Sequence, residues 1–130
     1  MRVLVADDDP IITRLVHLGL RAKGWQVTVA ADAMQAVMFA ARTPPDAIIL
    51  DINMPGGTGI GALKRLKASV KTSTIPVLVL SGSTDPGMPQ TVKDLGADEF
   101  LLKPVDLDAL YRSVCRVTGL EPGPELTENL

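Results

Sequence analysis

Short runs of β-branched and aliphatic residues alternate along this chain with segments long enough to be amphipathic helices, and that alternation constrains the fold more than any other feature. The runs are Val3-Leu4-Val5, Val27-Thr28-Val29, Ala47-Ile48-Ile49-Leu50, Val77-Leu78-Val79-Leu80 and Phe100-Leu101-Leu102. Three of them are apolar on consecutive residues, the pattern of parallel strands covered on both faces. Strand followed by helix, five times over, implies right-handed crossovers and a doubly wound, five-stranded parallel α/β sheet. The units share no sequence, so they form one domain and not a tandem array.

The helix signals between the runs are local and chemical. Asp9-Pro10 puts an N-cap acid before a proline at the first helical position, and Ile11, Leu15, Leu18 and Ala22 follow at helical spacing until Gly24. Asp32 can cap a second helix carrying Val37, Met38 and Ala41, stopped by Pro44-Pro45. A third helix is predicted from Thr58 to about Val70. Pro86, Gly87 and Pro89 delay the fourth to about Gln90–Leu95. Asp106 caps the last, with Leu107, Leu110, Tyr111, Val114 and Val117 on one stripe. The predicted folded unit is residues 1–118, with 119–130 an acidic, Pro/Gly-rich tail or linker.

Charge and composition remove several function classes. Lys and Arg number 13 against 15 Asp and Glu, which lacks the basic excess of a general nucleic-acid binder. No apolar stretch approaches a membrane span, and the amino end has no signal-peptide pattern, so a cytoplasmic protein is expected. A single Cys115 excludes an internal disulfide and an all-cysteine zinc site. A dinucleotide-binding fold would need Gly-x-Gly-x-x-Gly after the first strand, where this chain has Asp7-Asp8-Asp9.

The polar residues that look out of place stand where strands end: Asp7 and Asp8 after the first, Asp51 at the third, Ser81 after the fourth and Lys103 after the fifth. In an open α/β sheet those ends line one edge, where ligands bind at the reversal of strand order. If strands one and three are neighbours, Asp7, Asp8 and Asp51 converge. Clustered carboxylates repel unless a cation shares the site, and an oxygen-only donor set with room for water suits Mg²⁺. A carboxylate beside Mg²⁺ can attack phosphorus to form an acyl phosphate, with Lys103 as a cationic partner and Ser81 as a hydroxyl donor.

With Asp7-Asp8, Leu50-Asp51-x-Asn53-Met54-Pro55, Gly59, Ser81-Gly82 and Lys103-Pro104 in this order, the chain resembles the receiver domain of two-component response regulators over residues 1–118. The resemblance implies a flavodoxin-like (βα)5 sheet of order 2-1-3-4-5. It implies that Asp51 accepts a phosphoryl group from the phosphohistidine of a histidine kinase or phosphotransfer protein. Asp8 would bind Mg²⁺ directly, Asp7 mainly through water, and Asn53 through its carbonyl. Ser81 would swing toward the phosphoryl group and Lys103 would bridge to it, while Gly82 leaves the approach open. Phe100 takes the aromatic switch position, and the Lys103–Pro104 bond would be cis. The output surface would be the fourth helix, fifth strand and fifth helix, acting on an effector protein or domain. The irregular fourth helix argues for a monomer or weak dimer, with no direct contact to nucleic acid or membrane. The chain shows no effector domain and is read as a stand-alone regulator or the amino-terminal piece of a longer protein.

Several residues carry simpler readings. Asp9 is a helix cap, His17 a helix-surface residue, Cys115 a packing residue, and Trp25 packs over the end of the first helix. Lys64, Arg65, Lys67 and Lys71 read as a solvated face. Two other functions compete with the switch, whose only catalysis is its own phosphorylation and dephosphorylation. One is an Asp-nucleophile phosphatase, which would carry a second Asp where Asn53 stands. The other is a receiver-like interaction module that takes no phosphate.

Overall fold

The computed structural model describes residues 1–53 and 59–121; Met54, Pro55, the predicted helix start at Thr58 and the tail after Glu121 lie outside the described residues. In chain order the elements are β1 (Arg2–Ala6), α1 (Pro10–Arg21), β2 (Gln26–Ala30), α2 (Ala33–Arg42), β3 (Ala47–Asp51), α3 (Gly59–Ala68), β4 (Val77–Ser81), α4 (Met88–Asp94), β5 (Glu99–Leu102) and α5 (Leu107–Thr118). The five strands form one parallel sheet in the order β2-β1-β3-β4-β5.

Consecutive apolar residues in the strands are explained by a core on each side of the sheet. Leu4, Ile48, Leu50, Val77 and Val79 point to one cluster with residues of α2, α3 and α4. Val3, Val5, Ile49, Leu78 and Leu80 point to the other, with residues of α1 and α5. Successive side chains of a strand face opposite sides, so a central strand between two helical layers must be apolar at every position. β3 and β4 are buried throughout. Trp25 joins the second cluster with Val16 and Leu20, and its ring lies 5.0 Å from that of Tyr111, tying α5 to the start of β2.

The helices agree with the local signals at their ends but not always in the face they bury. Asp9, Asp32 and Asp106 cap α1, α2 and α5, accepting from the N–H groups of Ile11, Gln35 and Asp108. The apolar residues that announce α1 are not its buried face. Ile11, Leu15 and Leu18 are 76%, 47% and 57% exposed, while Thr13, Val16 and Leu20 are buried. On α2 the buried face is Ala33, Ala36 and Ala40, whose small side chains can lie close to the sheet; Met38 stays exposed. α4 starts at Met88, two residues before the predicted Gln90. Pro89 is accommodated in the first turn, where its missing N–H has no intrahelical partner to lose. Asp85 organises that start, its carbonyl accepting from Met88 N–H and its carboxylate from Gly87 N–H. α3 ends at Ala68 and not near Val70, because Ser69 turns the chain by accepting from the Thr72 and Ser73 N–H groups. Among the described residues no helix is long and apolar enough to cross a membrane.

Candidate functional site

The strand order puts β1 and β3 side by side, with Asp51 closing β3 and Asp7 one residue beyond β1. Asp7, Asp8 and Asp51 each offer a carboxylate oxygen, and the three atoms lie within 4.8 Å of one another. Asp7 and Asp51 are buried and Asp8 is exposed. At an effective dielectric of about 20, each like-charged pair at that distance repels by about 3 kcal/mol. Lys103, delivered by the end of β5, answers part of that charge: its Nζ stands 2.9 Å from Asp7 Oδ2 and 3.4 Å from Asp51 Oδ2. Three carboxylates against one ammonium leave the pocket acidic.

The two buried carboxylates are each oriented by a backbone N–H two residues further on. Asp9 N–H donates to Asp7 Oδ1 at 2.9 Å, so the residue that caps α1 also fixes Asp7. Asn53 N–H donates to Asp51 Oδ1 at 3.1 Å, bringing the Asn53 backbone against the same carboxylate. Asp7 Oδ2 is buried without an aligned hydrogen-bond donor; Lys103 is within ion-pair distance but not in hydrogen-bond alignment with it. Burial pushes the Asp7 carboxyl above the usual carboxylate range, and the Asp51 charge adds to this, while Asp9 N–H and Lys103 oppose it. Partial burial works against the Lys103 ammonium, but Asp7 and then Asp51 outweigh it and hold its pKa above the ordinary lysine value.

The other residues singled out in the sequence surround this centre. Ser81 is fully buried at the end of β4, its Oγ accepting from Ser83 N–H at 3.0 Å. Lys103 N–H donates to the Ser81 carbonyl at 2.8 Å, so backbone pairing couples the hydroxyl and the ammonium. A Cβ on Gly82 would meet nothing within 4 Å, so packing does not require glycine there. The Lys103–Pro104 peptide bond is cis. Phe100 sits apart from the carboxylates, half-buried on β5 opposite Val79.

Gly59, part of the quoted motif, has a packing role, and Lys67 has one that the sequence hid. Gly59 N–H donates to the Ile52 carbonyl, and a Cβ on Gly59 would overlap the Asp51–Ile52 backbone, so α3 can approach the end of β3 only with glycine there. Lys67, read as part of a solvated face, instead folds inward. Its Nζ donates to the Ile75 and Ser73 carbonyls and stands 3.8 Å from Asp98, whose carboxylate accepts from Val77 N–H. The aliphatic stem of Lys67 covers Gly96, which has a φ of +104°. The basic residues beside it in sequence hide that role.

The family model described as the response regulator receiver domain matches residues 3–115. The chain belongs to this family. It is 40% identical over 106 residues to the transcriptional regulatory protein KdpE of Mycobacterium tuberculosis, a match covering 82% of this chain and 46% of that protein. It is 40% identical over 119 residues to the transcriptional regulatory protein PrrA of Mycobacterium leprae, covering 92% of this chain and 49% of that protein. The receiver chain thus spans about half the length of the curated relatives it matches. Among solved structures, the chemotaxis protein CheY4 of Vibrio cholerae superposes with a TM-score of 0.83 at 34% identity, covering 89% of this chain and 97% of that one. The receiver domain of the sensor histidine kinase PA1611 from Pseudomonas aeruginosa, with a magnesium ion coordinated in its active site cleft, gives 0.83 at 29% identity, covering 91% and 97%. The fold is the five-stranded order 2-1-3-4-5 expected of a receiver, and the chain is a two-component receiver domain with an acidic cluster compatible with Mg²⁺.

Proposed function

We propose that this receiver is a phosphorylation-controlled switch in which Asp51 accepts a phosphoryl group from the phosphohistidine of a histidine kinase or phosphotransfer protein. The observation that carries the reading is the convergence of Asp7, Asp8 and Asp51 on one point with a single lysine over it. An Asp51 carboxylate oxygen attacks phosphorus, the phosphorus–nitrogen bond breaks, and the imidazole leaves with the electron pair. Hydrolysis of the acyl phosphate restores the carboxylate, so the chain catalyses only its own phosphorylation and dephosphorylation.

The donor set fits Mg²⁺: oxygen ligands alone, two carboxylates buried, and one buried carboxylate oxygen on Asp7 without an aligned donor. Asp7, Asp8 and Asp51, with the Asn53 carbonyl, would hold the ion, which supplies charge neutralisation for the incoming phosphoryl oxygens. The magnesium in the PA1611 receiver supports this. Lys103 pairs with the phosphoryl group, giving up part of its hold on Asp7. Ser81 exchanges the Ser83 N–H for a phosphoryl oxygen, and Gly82 keeps the approach clear. Phe100 follows Ser81, within the face built from α4, β5 and α5, where a cavity of about 170 Å³ lies between Pro89, Val92 and Phe100. Moving such a switch from mostly off to mostly on takes about 5.5 kcal/mol. Several charge-assisted contacts at about 1.5–3 kcal/mol each supply it.

That face is the proposed surface for an effector protein or domain, and the exposed apolar residues Ile11, Leu15 and Leu18 along α1, the helix that follows Asp7 and Asp8, suit a docked phosphodonor. The proposed receiver unit is residues 1–118, with the remainder a tail or linker, acting in the cytoplasm as a monomer or weak dimer without contacting nucleic acid. Incubation with a small phosphodonor and Mg²⁺ tests the function. Wild type takes one phosphoryl group and Asp51→Ala none; equal labelling of the two would overturn the assignment.

A further inference from the structure

At the end of the sheet away from the acidic pocket, residues of β1, β2 and the end of α2 line a cavity of about 240 Å³. Leu4, Phe39 and Pro45 make its apolar lining, and Thr28 adds a hydroxyl from the edge strand β2. Two arginines share it, Arg2 from β1 and Arg42 from the last turn of α2. Among the described residues neither guanidinium has a carboxylate partner. Arg2 reaches only Gln26 Oε1, at 3.5 Å, and the neighbouring Asp46 carboxylate is taken by the Arg2 backbone N–H. A basic residue in the last turn of α2 complements that helix's terminal carbonyls. That role does not account for a second arginine, from a different element, lining the same apolar cavity.

We propose that this cavity binds a small amphipathic anion, with a flat or branched apolar body against Leu4 and Phe39 and a carboxylate between Arg2 and Arg42. Guanidinium groups recognise carboxylates through paired N–H donors, and a pocket combining apolar walls with a few polar groups is the usual form of a small-molecule site. The volume sets the size: it suits a body of one or two rings, below the range of drug-sized pockets. The site shares no residue with the acidic pocket and stands independently of the phosphorylation reading.

Nitrogen-15 NMR titration of the full chain with 2-naphthoate tests the proposal. Saturable shifts are expected at Leu4, Thr28, Phe39 and Arg42, with a Kd of about 1 mM or tighter. Arg42→Ala should weaken binding about fivefold or more, and Arg2→Ala/Arg42→Ala should abolish saturation. Both side chains are exposed, so the fold should persist, and an unchanged spectrum away from the site would show that it does. Thr28→Phe, which fills the cavity without touching either charge, should also abolish binding. The neutral 2-naphthamide should bind at least fivefold more weakly. The proposal is overturned if no saturable shift appears, if the shifts map elsewhere, or if the double variant or the amide binds as tightly.

Discussion

At the carboxyl end of the sheet, Asp9, Asp32 and Asp106 each cap a helix; at the other end, α1 to α5 each carry a base in the last turn, from Arg21 to Arg116. Acids at helix starts and bases at helix ends complement the helix dipoles, so this opposition of charge is an ordinary consequence of the fold. What distinguishes the two ends is the charge left over. Asp7, Asp8 and Asp51 cap no helix, and two of them are buried beside one another. Arg2 lies on a strand and likewise serves no helix end. The difference separates charge that complements helix ends from charge that no helix end accounts for, which at Asp7 is held against the cost of burial.

Substitutions can break that distinction. The largest effect on stability is expected for Lys103→Ala, which leaves the buried Asp7 and Asp51 carboxylates without their cation. It should cost about 2 kcal/mol at neutral pH, less than for a fully buried pair because Lys103 is 20% exposed at its side chain. Since the Lys103 pKa is raised, its contribution is present at and below neutral pH and is lost as pH rises through that raised value. Denaturant melts of both proteins from neutral to alkaline pH would show the gap closing. For the exposed Asp8, Asp8→Asn should lower Mg²⁺ affinity about tenfold, about 1.4 kcal/mol, with a smaller change in stability, measured by titration calorimetry and melting.

The capping acids should behave in the opposite way. Asp9→Ala should destabilise by about 1 kcal/mol through loss of the α1 cap while weakening Mg²⁺ binding less than Asp8→Asn does. Asp7→Asn should stabilise the metal-free protein by about 1 kcal/mol, a few degrees in Tm, because the ionised carboxylate is held where burial disfavours it. The folded Asp7 pKa is raised, so the penalty is absent in acid and sets in as pH rises through that value; the variant's advantage should vanish at low pH. A Tm gap that persists in acid would show that the gain is not electrostatic.

The same distinction explains what the sequence made legible. Asp7, Asp8, Asp51, Ser81 and Lys103 could be placed because each ends or follows a strand, and parallel pairing fixes where strand ends lie. The caps Asp9, Asp32 and Asp106 were equally readable, since capping is a contact over two or three residues. Helix faces were not. α1 carries apolar residues on two sides, and only docking against β1 and α5 decides that Val16 and Leu20 turn inward while Ile11 and Leu15 stay wet. Lys67 escaped for a related reason: its partners, the Ser73 and Ile75 carbonyls and Asp98, come together only after β4 and β5 have paired.

The central claim is that the surplus acids form one phosphoacceptor site with Asp51 as its nucleophile. Locating the phosphoryl group by borohydride reduction of the acyl phosphate and peptide mass spectrometry, after transfer from a phosphorylated histidine kinase in Mg²⁺, tests it most directly. The account predicts modification at Asp51 alone and its loss when Mg²⁺ is chelated before transfer. Modification at Asp7 or Asp8, or undiminished transfer without the metal, would contradict it.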